Sequence, residues 1–290
     1  MFTKRVTESM ATLSPSDHVA HKSFGQLTYL ERVADSPGIS VFFHGLGLDA
    51  TDYLEYLETH ETHGIAVSLA GYAPGEAEPL PPVPVGRHVE MVADLVARIG
   101  RENPDKHIDL IGFSLGADLV LQLAEWWTAD PRRTHPRISG ALLLDPNVNH
   151  STMTISRLFA SADRRDPTPA MKKLVGLAPD LDVLRSLCGY VMKISTKDFS
   201  HVHRLANDMV NYWNPAGYDQ FGSRVARVVD IADVVSIALS ADYQGHLEGM
   251  RNAVRSKASR PDDVVFNITG LDHFGLIENG FLSREMKSIS

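Results

Sequence analysis

Gly112-Phe113-Ser114-Leu115-Gly116 decides how this chain is read. It follows His107-Ile108-Asp109-Leu110-Ile111, an apolar run that predicts a buried strand, and leads into Ala117–Trp127, which predicts a helix. The pentapeptide fits G-x-S-x-G, and a strand-turn-helix context is the one that gives this pattern chemical meaning. A turn that sharp strains the backbone at Ser114 and lifts its hydroxyl clear of the sheet. Side chains at positions 112 or 116 would collide with the neighbouring strand or helix, so both positions need glycine. The first free N–H groups of the helix then point toward an incoming carbonyl oxygen. Ser114 is therefore the candidate nucleophile.

Working outward, the same strand-helix rhythm continues on both sides. Upstream, Ile39–Phe43 and Ile65–Leu69 predict strands, Ala50–His60 and Val89–Ile99 predict helices, and residues 17–34 predict a hairpin around Gly25-Gln26. A Pro- and Gly-rich loop covers 71–86, and residues 1–16 are polar and expected to be loosely held. Downstream, strands are expected at 138–144, 234–239 and 264–268, with helix at 246–258 and from Phe274 onward. Apolar strands alternating with helices predict an α/β protein built on a mostly parallel, doubly wound sheet covered on both faces. Ligands bind such sheets beyond the C-terminal ends of the strands. Residues 150–228 break the rhythm: short helices are expected at 153–160, 168–176, 180–193 and 198–213, and no core strand. The expected division is a core of 1–149 and 229–290, with 150–228 a helical cap inserted between two strands.

Serine needs a general base, most often histidine. The chain has 13 histidines, so position must select one. His273 follows the last expected strand, in Gly270-Leu271-Asp272-His273-Phe274-Gly275, and so belongs at the sheet edge where the serine turn opens. Asp272 is adjacent to it, but loop neighbours rarely turn their side chains toward each other. The acid that orients the imidazole is expected to be Asp242, after strand 234–239, which gives the chain order Ser114, Asp242, His273. Asp145, at the end of strand 138–144 and before Pro146, is the rival. Oxyanion donors are expected from the N–H of Leu115 and, across the loop His44-Gly45-Leu46-Gly47, from Leu46. His44 is read as shaping that loop. The loop lacks the spacings of a nucleotide site, so no cofactor or metal is expected.

Composition limits the alternatives. At 290 residues the chain can bury one large core. A net charge of −8 argues against a nucleic-acid partner. One cysteine, Cys188, allows no intrachain disulfide and is expected to be a buried apolar thiol. No stretch suggests a signal peptide or a membrane span, so a cytoplasmic protein is expected. Residues 151–228 hold 11 Lys and Arg against 7 Asp and no Glu. That excess is read as a solvated helical surface, with selection of an anionic substrate as the alternative. Phe159, Phe199, Tyr212, Trp213 and Tyr218 are read as packing between cap and core, with an acyl pocket as the alternative.

With these residues placed, the chain resembles an α/β-hydrolase carrying a helical cap. The matching positions are His44-Gly45, Gly112–Gly116, Asp242 and His273; Ala70-Gly71-Tyr72-Ala73-Pro74-Gly75 matches the family's D-x-P-G-x-G-type loop poorly because its leading acid is absent. The resemblance implies a serine hydrolase that cleaves an acyl ester or thioester of a small molecule through an acyl-enzyme. It leaves open carbon–carbon bond hydrolysis or acyl transfer on the same triad, and a non-enzymatic small-molecule binder on this fold. The oligomeric state is not legible.

Overall fold

A computed structural model describes residues 18–73 and 80–289. The expectation for residues 1–16, and Pro74-Gly75 of the Gly- and Pro-rich loop, lie outside them. Eight strands form one sheet: β1 (Ala20–Phe24), β2 (Leu27–Arg32), β3 (Gly38–Phe43), β4 (His63–Ser68), β5 (His107–Phe113), β6 (Ile138–Leu144), β7 (Ala232–Leu239) and β8 (Val264–Ile268). Their order is β1-β2-β4-β3-β5-β6-β7-β8. The β1-β2 hairpin turns at Gly25, whose φ of 60° suits glycine, and β2 runs antiparallel to β4. The remaining strand pairs are parallel.

Burial explains why the sheet is parallel at its centre. From Ile39 to Phe43, along all of β4 and from Ile108 to Phe113, every residue is buried. A strand apolar on both faces needs a helix layer on each face. Those layers come from α1 (Leu54–Thr59), α2 (Val85–Glu102), α3 (Leu115–Thr128), α9 (Leu247–Lys257) and α10 (Asn279–Glu285). The buried set on α2, including Val89, Val92, Ala93, Val96 and Ile99, keeps the spacing read from the sequence.

Between β6 and β7 lie α4 (Thr154–Ala160), α5 (Thr168–Val175), α6 (Leu181–Ile194), α7 (Phe199–Tyr212) and α8 (Asp219–Ile231). The first four match the expected short helices. The boundary expected at residue 228 falls inside α8, which packs on α3 and α9 in the layer that covers the sheet. That helix runs straight into β7 at Ala232 with no Gly or Pro between them, so the seam leaves no mark in the sequence. Cys188 is exposed, contrary to the expectation. On α6 it falls between Leu187 and Tyr190, which are the residues turned inward.

The inserted helices are fastened to the loop after β3. Tyr190 donates to the Leu46 carbonyl at 2.7 Å. Lys197, almost wholly buried, donates to Asp49 at 2.5 Å and to the Tyr72 carbonyl at 2.7 Å. Lys193 reaches Asp52 at 2.5 Å. Burial makes a charged Asp49 costly, but Lys193 and Lys197 more than offset this and hold its carboxyl well below the usual range. Lys193 and Lys197 of the inserted helices are thus ion-paired to the segment after β3.

Candidate active site

The site begins with backbone geometry at two strand ends. Ser114 has φ 53° and ψ −115° at the junction of β5 and α3, and its N–H donates to the Leu144 carbonyl at 2.8 Å. That conformation is rare for a residue with a Cβ and turns the hydroxyl out of the sheet. Both flanking glycines are required, as expected. A Cβ on Gly116 would lie 2.1 Å from the Phe43 carbonyl oxygen, and one on Gly112 would lie 2.4 Å from the Gly116 carbonyl oxygen. These contacts are with backbone, which cannot swing aside.

The second special backbone position is Asp145, immediately after β6, with φ 44°. Its carboxylate is fully buried and used at both oxygens. Oδ1 accepts the Ser240 N–H at 2.6 Å and Oδ2 accepts from His273 Nδ1 at 2.7 Å. The acid on the imidazole is therefore Asp145, and the expectation of Asp242 is corrected. The physical reason lies in the loops. Asp242 stands three residues beyond the end of β7, on a 3-10 turn that leaves it exposed at the rim of the pocket. Asp145 sits at the strand end itself, one strand from the serine turn, and with φ at 44° its side chain reaches His273 on the loop after β8. Asp272 caps that loop instead, accepting the Gly275 N–H at 2.7 Å.

His273 is held between Asp145 and the ring of Phe113, 4.6 Å away centre to centre. With Nδ1 donating to Asp145, Nε2 is left as the acceptor. Ser114, Asp145 and His273 line one cavity of about 240 Å³. Leu115 is the first residue of α3, and neither its N–H nor that of Leu46 donates to a backbone carbonyl among the described residues. Both are free to meet an oxyanion.

His44 shapes its loop, as read from the sequence. It is buried, its Nε2 accepts the Leu69 N–H at 3.1 Å, and its Nδ1 donates to the Gly45 carbonyl at 2.8 Å. Burial pushes it down to about 4, and pushes the buried His88 of α2 down to about 3. A neutral histidine in the folded state and an ordinary one near 6.5 in the unfolded chain have a definite sign. As pH falls below 6.5 the unfolded chain binds protons that the folded one does not, so stability is lost toward pH 4 and then 3. We expect each histidine to cost about 2 kcal/mol between pH 7 and pH 5. Calorimetric unfolding at the two pH values checks this, and the loss should shrink in His88→Leu.

Two supporting residues escaped the sequence reading. Asp118, on the buried face of α3, accepts the Asn147 N–H at 3.2 Å and its side-chain amide at 2.5 Å. Burial pushes Asp118 up to about 7 against those bonds. Tyr243 donates to the Pro146 carbonyl at 2.9 Å. Together they pin the turn that carries Asp145. The available signal was Asp118 itself, an acid inside an otherwise apolar helix stretch, which needs a partner when buried. The aromatic residues considered for a pocket pack instead: Phe159 meets Phe199 edge-on at 5.6 Å and Trp213 lies 6.4 Å from Phe221.

Comparison with known proteins agrees with this architecture. No sequence match to a curated protein was found. Among solved structures, a thermophilic esterase from Thermogutta terrifontis superposes with a TM-score of 0.65 at 16% identity, covering 94% of this chain and 99% of that one. A lipase-esterase related protein from Clostridium acetobutylicum gives 0.58 at 18%, covering 92% and 100%. MenH from S. aureus gives 0.60 at 15%, covering 91% and 97%. At these identities the likeness concerns the fold. Residues 41–280 match the model of the Alpha/beta hydrolase family. With most of its length inside that match, and with the serine turn and eight-stranded sheet described above, the chain belongs to the alpha/beta hydrolase family.

Proposed function

We propose that the protein is a serine hydrolase that cleaves a small acyl ester or thioester through an acyl-enzyme. Ser114 is the nucleophile, His273 the general base and acid, Asp145 the group that orients the imidazole, and the N–H groups of Leu46 and Leu115 the oxyanion donors. The observation that carries the reading is the 2.7 Å bond from His273 Nδ1 to the buried Asp145, in the cavity that Ser114 also lines.

Each step follows from that arrangement. Ser114 Oγ attacks the carbonyl carbon while His273 Nε2 takes its proton. The carbonyl electrons move onto oxygen, where the two N–H groups stabilise them. Asp145 stabilises the imidazolium without taking its proton. Collapse of the intermediate breaks the bond to the alkoxy or thiol group, which receives the proton from Nε2. Water then attacks the ester on Ser114, giving its proton to Nε2, and the acid is released as Oγ regains a proton.

Rapid quenching during turnover of p-nitrophenyl acetate tests the proposal. One acetyl group on Ser114, with nitrophenol release that begins in a burst, is the expected result. An acetyl thioester assayed in parallel decides between the two bond types. Turnover without an acyl group on Ser114 would overturn the mechanism.

A further inference from the structure

The two spaces at Ser114 share their walls: Ser114, Ile155, Ser156 and His273 line both. The smaller, about 10 Å³, adjoins Leu46 and holds one water-sized group. It is where the carbonyl oxygen goes as Ser114 attacks. Two polar side chains of the inserted helices reach it, Tyr190 and Ser156. Tyr190 already donates to the Leu46 carbonyl. Ser156 does not give its proton to the protein.

Ser156 lies on α4, is only 7% exposed, and its hydroxyl has no hydrogen-bond partner among the described residues. A serine inside a helix ordinarily bonds back to the carbonyl four residues earlier. Ser186 and Ser223 do so, to Asp182 at 3.3 Å and to Asp219 at 2.9 Å. Ser156 makes no such bond to Thr152. Nor is its oxygen sealed in the packing, as the unpaired hydroxyls of Ser236 and Ser240 are, so it opens onto the spaces that Ser156 lines. Met153 and Phe159 seat α4: both are buried, and Phe159 packs edge-on against Phe199 and lies 6.4 Å from the Tyr190 ring, centre to centre. The hydroxyl is therefore held beside Ser114 with its hydrogen bond unused.

We infer, building on the serine-hydrolase reading of this site, that Ser156 is a third oxyanion donor, supplied by the insertion. In a space for one water-sized group, an oxygen placed beside Ser114 touches every wall, and the Ser156 O–H turns toward the negative charge that forms there. No proton is transferred; the O–H bond stays intact and donates in the tetrahedral intermediate of each half-reaction. A charged oxygen gains more from this donor than the neutral carbonyl does, so the contact lowers the barrier instead of only strengthening binding.

Two variants test this. Ser156→Ala removes the hydroxyl. Ser156→Thr keeps it, with room for the added methyl in the cavity of about 240 Å³. Each is compared with wild type in hydrolysis of p-nitrophenyl acetate and in inhibition by 1,1,1-trifluorobutan-2-one, whose carbonyl adds to the serine hydroxyl and leaves a charged tetrahedral oxygen. Ser156→Ala should lose about 10²-fold in kcat/KM, mostly in kcat, and its inhibition constant should rise by about the same factor at an unchanged melting temperature. Ser156→Thr should stay close to wild type in both. A residue that only packs would leave the inhibition constant where it is, and one that holds the attacking water would slow deacylation alone, so that acetyl-Ser114 accumulates. An inhibition constant unmoved in Ser156→Ala, or raised as much in Ser156→Thr, would overturn the role of Ser156. Acetylation of Ser114 in wild type leaves the hydrolase reading standing in either case. Absence of any acetyl group on wild-type Ser114 would overturn both.

Discussion

Ser114→Ala loses ester turnover by about 10⁴- to 10⁶-fold and keeps its fold. Nucleophile, base and orienting acid act as a unit, so removing the nucleophile removes nearly all that the unit supplies, leaving only binding and the oxyanion donors. The fold survives because the hydroxyl makes no capping bond to α3. Alanine also carries the same Cβ as serine, so the backbone strain at φ 53° is unchanged. Melting temperature and kcat measured on the same preparation check the result. A folded Ser114→Ala protein that retains turnover would rule out covalent catalysis at this residue.

Asp145→Asn lowers kcat by about 10⁴-fold with little change in KM, and the hydrogen-bond pattern explains the size of the loss. The Ser240 N–H already donates to one oxygen of Asp145. In the variant the amide oxygen keeps that bond, which turns the amide N–H₂ toward His273 Nδ1. The imidazole must then carry its proton on Nε2, where it cannot accept one from Ser114. Flipping the amide would set its N–H₂ against the Ser240 N–H. A large kcat loss in Asp242→Asn with Asp145→Asn near wild type would return the acid to the loop after β7.

The serine turn was legible because glycine at 112 and 116 reports backbone contacts that no other residue permits, and His273 because a loop after the last strand has one place to go. Strand and helix positions followed from apolar periodicity, down to Ile138–Leu144. Chain order alone admits both Asp242 and Asp145, and side-chain direction at a strand end depends on φ at one residue. The run Leu142-Leu143-Leu144-Asp145 did carry a hint: an acid closing a fully apolar strand is buried and must be paired. The α8–β7 seam was hidden for a different reason. Helical and strand apolar patterns meet at Ala232 without a breaker, so the packing on α3 and α9 sets the boundary.

On the proposed mechanism Ser114 is a nucleophile activated by His273. Its most direct test is fluorophosphonate labelling of the folded protein, read as intact mass with peptide mapping, in wild type and in His273→Ala. One phosphonyl group per chain, on Ser114, is the expected result, formed about 10³-fold or more slowly in His273→Ala. No adduct, or one on any other residue, would contradict it.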